Sequence, residues 1–178
     1  MDKVTAGVAV SSLIAAAAAA SSVFDHVPAG QWNSMQQEAT HAYDRKEYER
    51  AFVLNRRTAC AGDKTSQAIL GRMYLLGQGT TKDEITGYAW IRFAADFSFG
   101  DFTSLARKLE AAMSPEQLAA GKAKADALRA SYGPAVTNMS CHAESRRGAY
   151  VIDSVVCTPE SSGGGDVLLR RCVEDGEK

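Results

Sequence analysis

Residues 68–95 read AILGRMYLLGQGTTKDEITGYAWIRFAA, and the spacing of small, glycine and aromatic residues in this stretch decides the fold. Between Ala68 and Leu75 the small and apolar positions Ala68, Ile69, Met73 and Leu75 wind around a short helix, while Gly71 and Tyr74, three apart, share one face. A glycine inside a helix costs about 1 kcal/mol relative to alanine, so its use here is to let a second helix come close. Gly77 and Gly79 then supply the positive-φ positions of a tight turn. Thr81, followed three residues later by Glu84, reads as a capping box opening the next helix. On that helix Gly87, Trp90, Ile91, Ala94 and Ala95 form one buried stripe. The stretch predicts two antiparallel helices packed at short range.

The same residues carry a resemblance. Small residue, Leu70-Gly71, Met73-Tyr74, Gly77-x-Gly79, Lys82-Asp83 and a Tyr88-x-Trp90 helix ending in Ala94-Ala95 resemble a Sel1-like repeat, a helix-pair relative of the tetratricopeptide repeat, of exported bacterial type. The resemblance covers roughly 48–113. It departs from the family at Gly87, where a helix alanine is usual, and at 97–100, where a short Gln-Gly turn is expected. Set against itself with a shift of 36 residues, the chain places Ala51 on Gly87, Leu54 on Trp90, Asn55 on Ile91, Arg56 on Arg92 and Ala59 on Ala95. The same shift lays 68–71 over 104–107, which makes 101–112 a degenerate partner helix. The fold class expected is all-α: a short αα-superhelix of about two repeats with capping helices, on a framework of Ala51, Gly71, Tyr74, Gly77, Gly79, Trp90, Ala94 and Ala95.

The flanks supply the caps. Residues 31–43 read as a helix whose Trp32, Met35, Ala39 and Ala42 would cover the open end of the first repeat. Residues 47–61 follow as the first repeat helix, with Tyr48, Ala51, Phe52, Leu54 and Thr58 facing inward. Ser114-Pro115-Glu116-Gln117 is a helix start: serine caps, proline takes the first helical position, and glutamine sits three after the cap. That helix would run to about Ala130, bury Leu118, Ala125 and Leu128, and end at Gly133-Pro134. Sel1-like proteins close with a similar segment.

The chain has 178 residues, 46% of them hydrophobic, and a net charge of -1, which suits one helical domain and argues against a polyanion-binding surface. From Val4 to Phe24 there is no charge, and the run Ala15–Ala20 is followed by small residues, as in a Sec export signal. Residues 1–29 are therefore expected to be a signal peptide cleaved after Ala20 or after Ala29. The alternative is an uncleaved anchor in the inner membrane facing the periplasm. The helical repeat domain would span 30–134, and 135–178 would form a non-helical tail, such as a β-hairpin, with β-leaning runs at 150–157 and 167–173. This tail holds Cys141, Cys157 and Cys172 without a C-x-x-C pair. In an exported chain they read as disulfide partners: Cys141 with Cys157, or Cys157 with Cys172, while Cys60 either ties the tail to the first repeat helix or fills a gap as a buried thiol.

Sequence motifs for catalysis are missing. His26, His41 and His142 lie in no metal-ligand spacing, and no nucleophile elbow, phosphate loop or dinucleotide fingerprint occurs. No catalytic residue, cofactor or metal ligand is assigned. The Arg-Arg pairs at 56/57, 146/147 and 170/171 read as solvated faces. The resemblance implies a protein-protein interaction module binding a peptide or protein partner in the periplasm or outside the cell, with Arg56 and Arg92, one repeat apart, as candidate contacts. Self-association is open, and nucleic acid is not expected. The alternative is a cell-envelope enzyme or ligand binder related to peptidoglycan, with the tail covering the repeat groove.

Overall fold

The computed structural model describes residues 23–97, 100–144, 154–160 and 165–173. The expected export segment at 1–22, the Arg146-Arg147 pair and the chain beyond Val173 lie outside them. The described chain is mostly helical, with a few short strands. Strand β1 (Phe24–Pro28) leads into α1 (Ala29–Asp44), α2 (Tyr48–Cys60), α3 (Lys64–Leu76), α4 (Glu84–Ala94), α5 (Gly100–Ala112), α6 (Pro115–Tyr132) and the single turn α7 (Pro134–Thr137). Strands β2 (Met139–Glu144), β3 (Ser154–Pro159) and β4 (Asp166–Arg170) follow. Each helix of α1 to α4 packs on the next, and α4 also packs on α5 and on α6.

The 68–95 stretch forms the tight pair α3–α4, with two differences at its helix starts. Helix α3 begins at Lys64, four residues before Ala68, because the buried Asp63 carboxylate accepts the Ser66 N–H at 2.7 Å and caps it. Helix α4 begins at Glu84, capped by Asp83 rather than Thr81: the aspartate accepts the Thr86 N–H at 2.9 Å. A carboxylate one residue before the helix satisfies the orphan N–H directly, which Thr81, three residues earlier, is too far back to do. Gly77 closes α3 in the left-handed conformation at φ 67°, and Gly79 at φ 67° carries the turn under the Tyr48 carbonyl, which a Cβ would strike. Helix α6 carries the full Ser114–Gln117 capping box with Pro115 behind the cap. It turns Gly121, Ala125 and Tyr132 fully inward, with Leu118 and Leu128 only half-buried. Gly121 is the contact point, since a Cβ there would run into the Tyr88 ring of α4.

On α2 the buried stripe is Ala51, Asn55, Thr58, Ala59 and Cys60, whereas Tyr48, Phe52 and Leu54 stay half-buried. The fully buried Asn55 side chain donates its amide N–H groups to the carbonyls of Ala39 at 3.0 Å and Ala51 at 2.9 Å, stitching α2 to α1, while its Oδ1 is left without a partner among the described residues.

Helix α1 divides its work in a way the periodicity does not reveal. Ala39 and Ala42 do face the repeats, and Ala42 clusters with Ala51 and Met73. Trp32 and Met35 instead pack on the tail, in a core with Val27, Val155, Cys157, Val167 and Leu169. The Trp32 indole N–H donates to the Cys157 carbonyl at 2.6 Å, a bond that fixes the ring toward the strands. The tail is accordingly a brace across α1 rather than a free appendage. It includes one helical turn, α7, and the antiparallel hairpin of β2 with β3, in register Cys141↔Cys157, while its β4 pairs antiparallel with the N-terminal β1, in register Phe24↔Arg170 to Pro28↔Asp166.

Candidate functional site

Two disulfides organise the tail. Cys141–Cys157 links the facing pair of the β2–β3 hairpin, and Cys60–Cys172 fastens the segment after β4 to the last turn of α2, 112 residues away in sequence. The second bond sets Arg171 beside the arginines of α2. A depression of about 270 Å³ results, lined by Asp25, Phe52, Val53, Arg56, Arg57, Arg171 and Cys172. Asp25, on β1, accepts from Arg171 Nε at 2.5 Å and from Arg57 Nη2 at 3.3 Å. Beside these charges Val53 is 66% exposed, the most exposed large apolar side chain among the described residues.

Arg56 and Cys172 also line a smaller hollow of about 90 Å³ floored by Trp90, Tyr74 and Tyr132. Trp90 stacks on Tyr132 with ring centroids 6.0 Å apart, and Tyr74 meets Phe52 edge-on at 5.4 Å. The Val173 N–H donates to the Tyr132 hydroxyl at 2.9 Å, so the chain's own last described residue lies over this aromatic floor.

The two arginines singled out by the repeat register part company. Arg92 lines a separate depression of about 220 Å³ between α4 and α5 and pairs with Asp96 at 3.3 Å and Glu110 at 3.7 Å. Asp96 is in turn gripped by Arg129 of α6 through Nε at 2.6 Å and Nη2 at 2.9 Å. Arg92 thus belongs to an ion-pair network joining α4, α5 and α6, apart from Arg56. Among the framework positions, Ala51 and Ala94 are fully buried, Trp90 is 5% exposed, Ala95 is half-buried as the cap of α4, and Gly71 faces Gly87.

Asp25, Arg57 and Arg171 were not distinguishable as site residues by motif. The Arg-Arg pairs at 56/57 and 170/171 were the available signal, each lying within four residues of a cysteine. Without the Cys60–Cys172 pairing nothing in the chain says that the two pairs meet.

A third concavity, about 450 Å³, opens between α1 and the hairpin, lined by Asn33, Gln36, Gln37, Thr40, His41, Asp63, Thr65, Glu144, Val155 and Val156. Asp63, at its floor, accepts from the Gln36 amide at 2.6 Å as well as capping α3. Burial pushes its carboxyl above the usual range, against these hydrogen bonds. Its neighbour Lys64 is buried too, with Nζ 3.1 Å from the Gln67 amide oxygen and 4.1 Å above the Phe93 ring, and burial lowers it to about 8. Among the described residues no cluster of three or more His, Cys, Asp or Glu is placed to hold a metal ion.

No protein-family model matches the chain, and no curated protein matches it. Among solved structures, the chain is similar to a protective antigen present in uropathogenic Escherichia coli strains, displaying an SLR fold. The two share 23% identity and a TM-score of 0.47, over 51% of this chain and 20% of that chain.

Proposed function

We propose that the chain is an exported helical-repeat module of the Sel1-like kind that binds a peptide or protein partner in the cell envelope. The observation that supports it is the depression on α2, where Val53 stands 66% exposed beside Phe52 and the arginines. Arginine is among the residues enriched at interaction hot spots, and three of them line this depression next to an exposed apolar side chain. Export is supported by the uncharged N-terminal run and by two disulfides, which persist in oxidising compartments. Among the described residues no helix is long and apolar enough to cross a membrane. In this reading α2 carries the surface, β1 and the segment after β4 complete it with Asp25, Arg171 and Cys172, and no reaction, cofactor or metal is assigned.

The test is capture from envelope extract, followed by reconstitution of the identified partner with purified wild-type protein, Val53→Glu and Arg92→Ala. Binding that is lost with Val53→Glu and kept with Arg92→Ala supports the reading. A partner that binds wild type and Val53→Glu equally overturns it.

A second reading is favoured by one observation, the cleft between α1 and the hairpin. Its lining of Asn33, Gln36, Gln37, Thr40 and Thr65, with His41, Asp63 and Glu144, suits a polar ligand such as the sugar of a peptidoglycan fragment. Muropeptide titration of wild type and Gln37→Leu tests it, and equal or absent binding rejects it.

A further inference from the structure

We propose that the depression between α2 and the C-terminal segment takes an acidic peptide, and that Asp25 occupies it as an intramolecular competitor for the peptide's carboxylate. This rests on the interaction reading of the same face and names the chemistry of the partner.

The charge count favours an acid. Among the described residues, the guanidinium groups of Arg57 and Arg171 converge on the one carboxylate of Asp25, with Arg56 on the same rim, in a chain whose net charge is -1. The cationic excess is therefore a local arrangement and not a property of the whole surface. It is also a built one, because a covalent bond from Cys60 to Cys172 is what carries Arg171 to α2.

Exposure then separates the members. The side chains of Arg57 and Arg171 are each 52% exposed, while that of Asp25 is 22% exposed. The acid is the inner partner and the guanidinium edges point outward. A guanidinium offers five N–H donors in a planar fork that matches a carboxylate. Asp25 already demonstrates the fit, taking Nε of Arg171 and Nη2 of Arg57. An incoming carboxylate meets the same donors and competes with it. Val53 and Phe52, on the adjoining turn of α2, add an apolar contact, so the preferred segment places an apolar residue next to its Asp or Glu.

The experiment uses the full oxidised chain and a fluorescent peptide of alternating Glu and Leu, with a Gln-for-Glu peptide of equal length as control. Fluorescence anisotropy at low and high salt reads the affinity. The acidic peptide is expected to bind about tenfold more tightly than the Gln peptide, and to weaken as salt rises. Arg171→Gln is expected to weaken it about tenfold, and Asp25→Asn to strengthen it severalfold by removing the competitor. A purely structural role for Asp25 predicts no gain. The proposal is overturned if the Gln peptide binds as well, if folded Asp25→Asn binds no more tightly, or if a single-stranded oligonucleotide binds and the acidic peptide does not. Thermal melting of each variant verifies the fold. Should Asp25→Asn melt early, Asp25→Ser with Arg57→Gln as its counterpart provides the comparison. Loss of acidic-peptide binding while the Val53-dependent partner still binds defeats this inference alone, whereas failure of both defeats the interaction reading too.

Discussion

Gly71 and Gly87 face each other across the α3–α4 crossing, each close enough that a Cβ on one would lie 2.8 Å from the carbonyl oxygen of the other. The backbones themselves are in contact. An added methyl must displace main chain as well as the side chains of Ile91 or Leu75, which lie 2.6 and 2.7 Å from the two added carbons. Alanine's better helix propensity recovers about 1 kcal/mol, against a steric cost of roughly 1–3 kcal/mol and the strain of moving backbone. Gly71→Ala and Gly87→Ala are each expected to destabilise by about 1–2 kcal/mol, seen in calorimetry as a fall of several degrees in Tm. An unchanged or raised Tm would show that the two helices stand further apart.

The two disulfides close loops of very different length, with sequence separations of 112 and 16. The chain-entropy argument gives about 4–5 kcal/mol for the first and about 3 kcal/mol for the second. Cys60→Ser with Cys172→Ser is expected to cost more in urea unfolding than Cys141→Ser with Cys157→Ser. Mass spectrometry of an unreduced digest should find Cys60 linked to Cys172 and Cys141 linked to Cys157. A Cys157–Cys172 peptide would contradict this arrangement.

Lys64 makes stability depend on pH in the alkaline range. Burial lowers its pKa to about 8 from 10.5, with Asp96, Arg129 and Asp63 as the charges that act on it. Above pH 8 the unfolded chain holds this proton more tightly than the native one, so stability rises with pH until about 10.5. Below pH 8 the cost of burying the ammonium is fully present, and the total change is about 3 kcal/mol. Tyr88 acts oppositely: burial and its bond to Glu110 push it up to about 12 from 10, so above pH 10 the unfolded chain loses the proton first and stability falls. Between pH 8 and 10, wild type should gain stability in chemical denaturation while Lys64→Met stays flat.

The N-terminal strand bears on processing. Val27 is 4% exposed in the tail core, and β1 pairs with β4 over five residues. Cleavage after Ala29 would remove this strand, whereas cleavage after Ala20 would keep it. N-terminal sequencing of the protein isolated from its native cells is expected to begin before Val23. Deleting 23–28 should cost at least the burial of one valine, about 1.5–3 kcal/mol, measured as a lower urea midpoint. Recovery of a stable natural product starting at Gly30 would refute this.

Short-range signals account for what was legible in the chain. The Gly77 and Gly79 turn and the Ser114 box each act through neighbours a few residues away, so their spacing states their role, and Gly71 inside a helix marks a close approach without naming what it meets. Gly87 was visible as a departure from the alanine usual in Sel1-like repeats, and the facing Gly71 carbonyl gives it a physical reason. The role of Trp32 was not legible. Helical periodicity marks it as inward but cannot say that the surface it meets is Val155 and Cys157, more than a hundred residues on. The arginine site fails for the same reason: Asp25, Arg57 and Arg171 converge only through the β1–β4 pairing and the Cys60–Cys172 bond, and no local pattern encodes either.

The antiparallel β1–β4 register has a mechanical consequence. Phe24 sits opposite Arg170, so tension applied at residues 23 and 173 peels the strand pair one bond at a time from that end, instead of shearing it. Once it opens, the load runs along β1, α1 and α2 to Cys60, crosses the disulfide to Cys172 and leaves by Val173. Residues 61–171 form a bypassed loop that carries no tension. A pulling experiment on the oxidised chain would extend only its first three elements, while the Gly71–Gly87 crossing and the α4–α6 packing stay slack, and reduction would bring them under force.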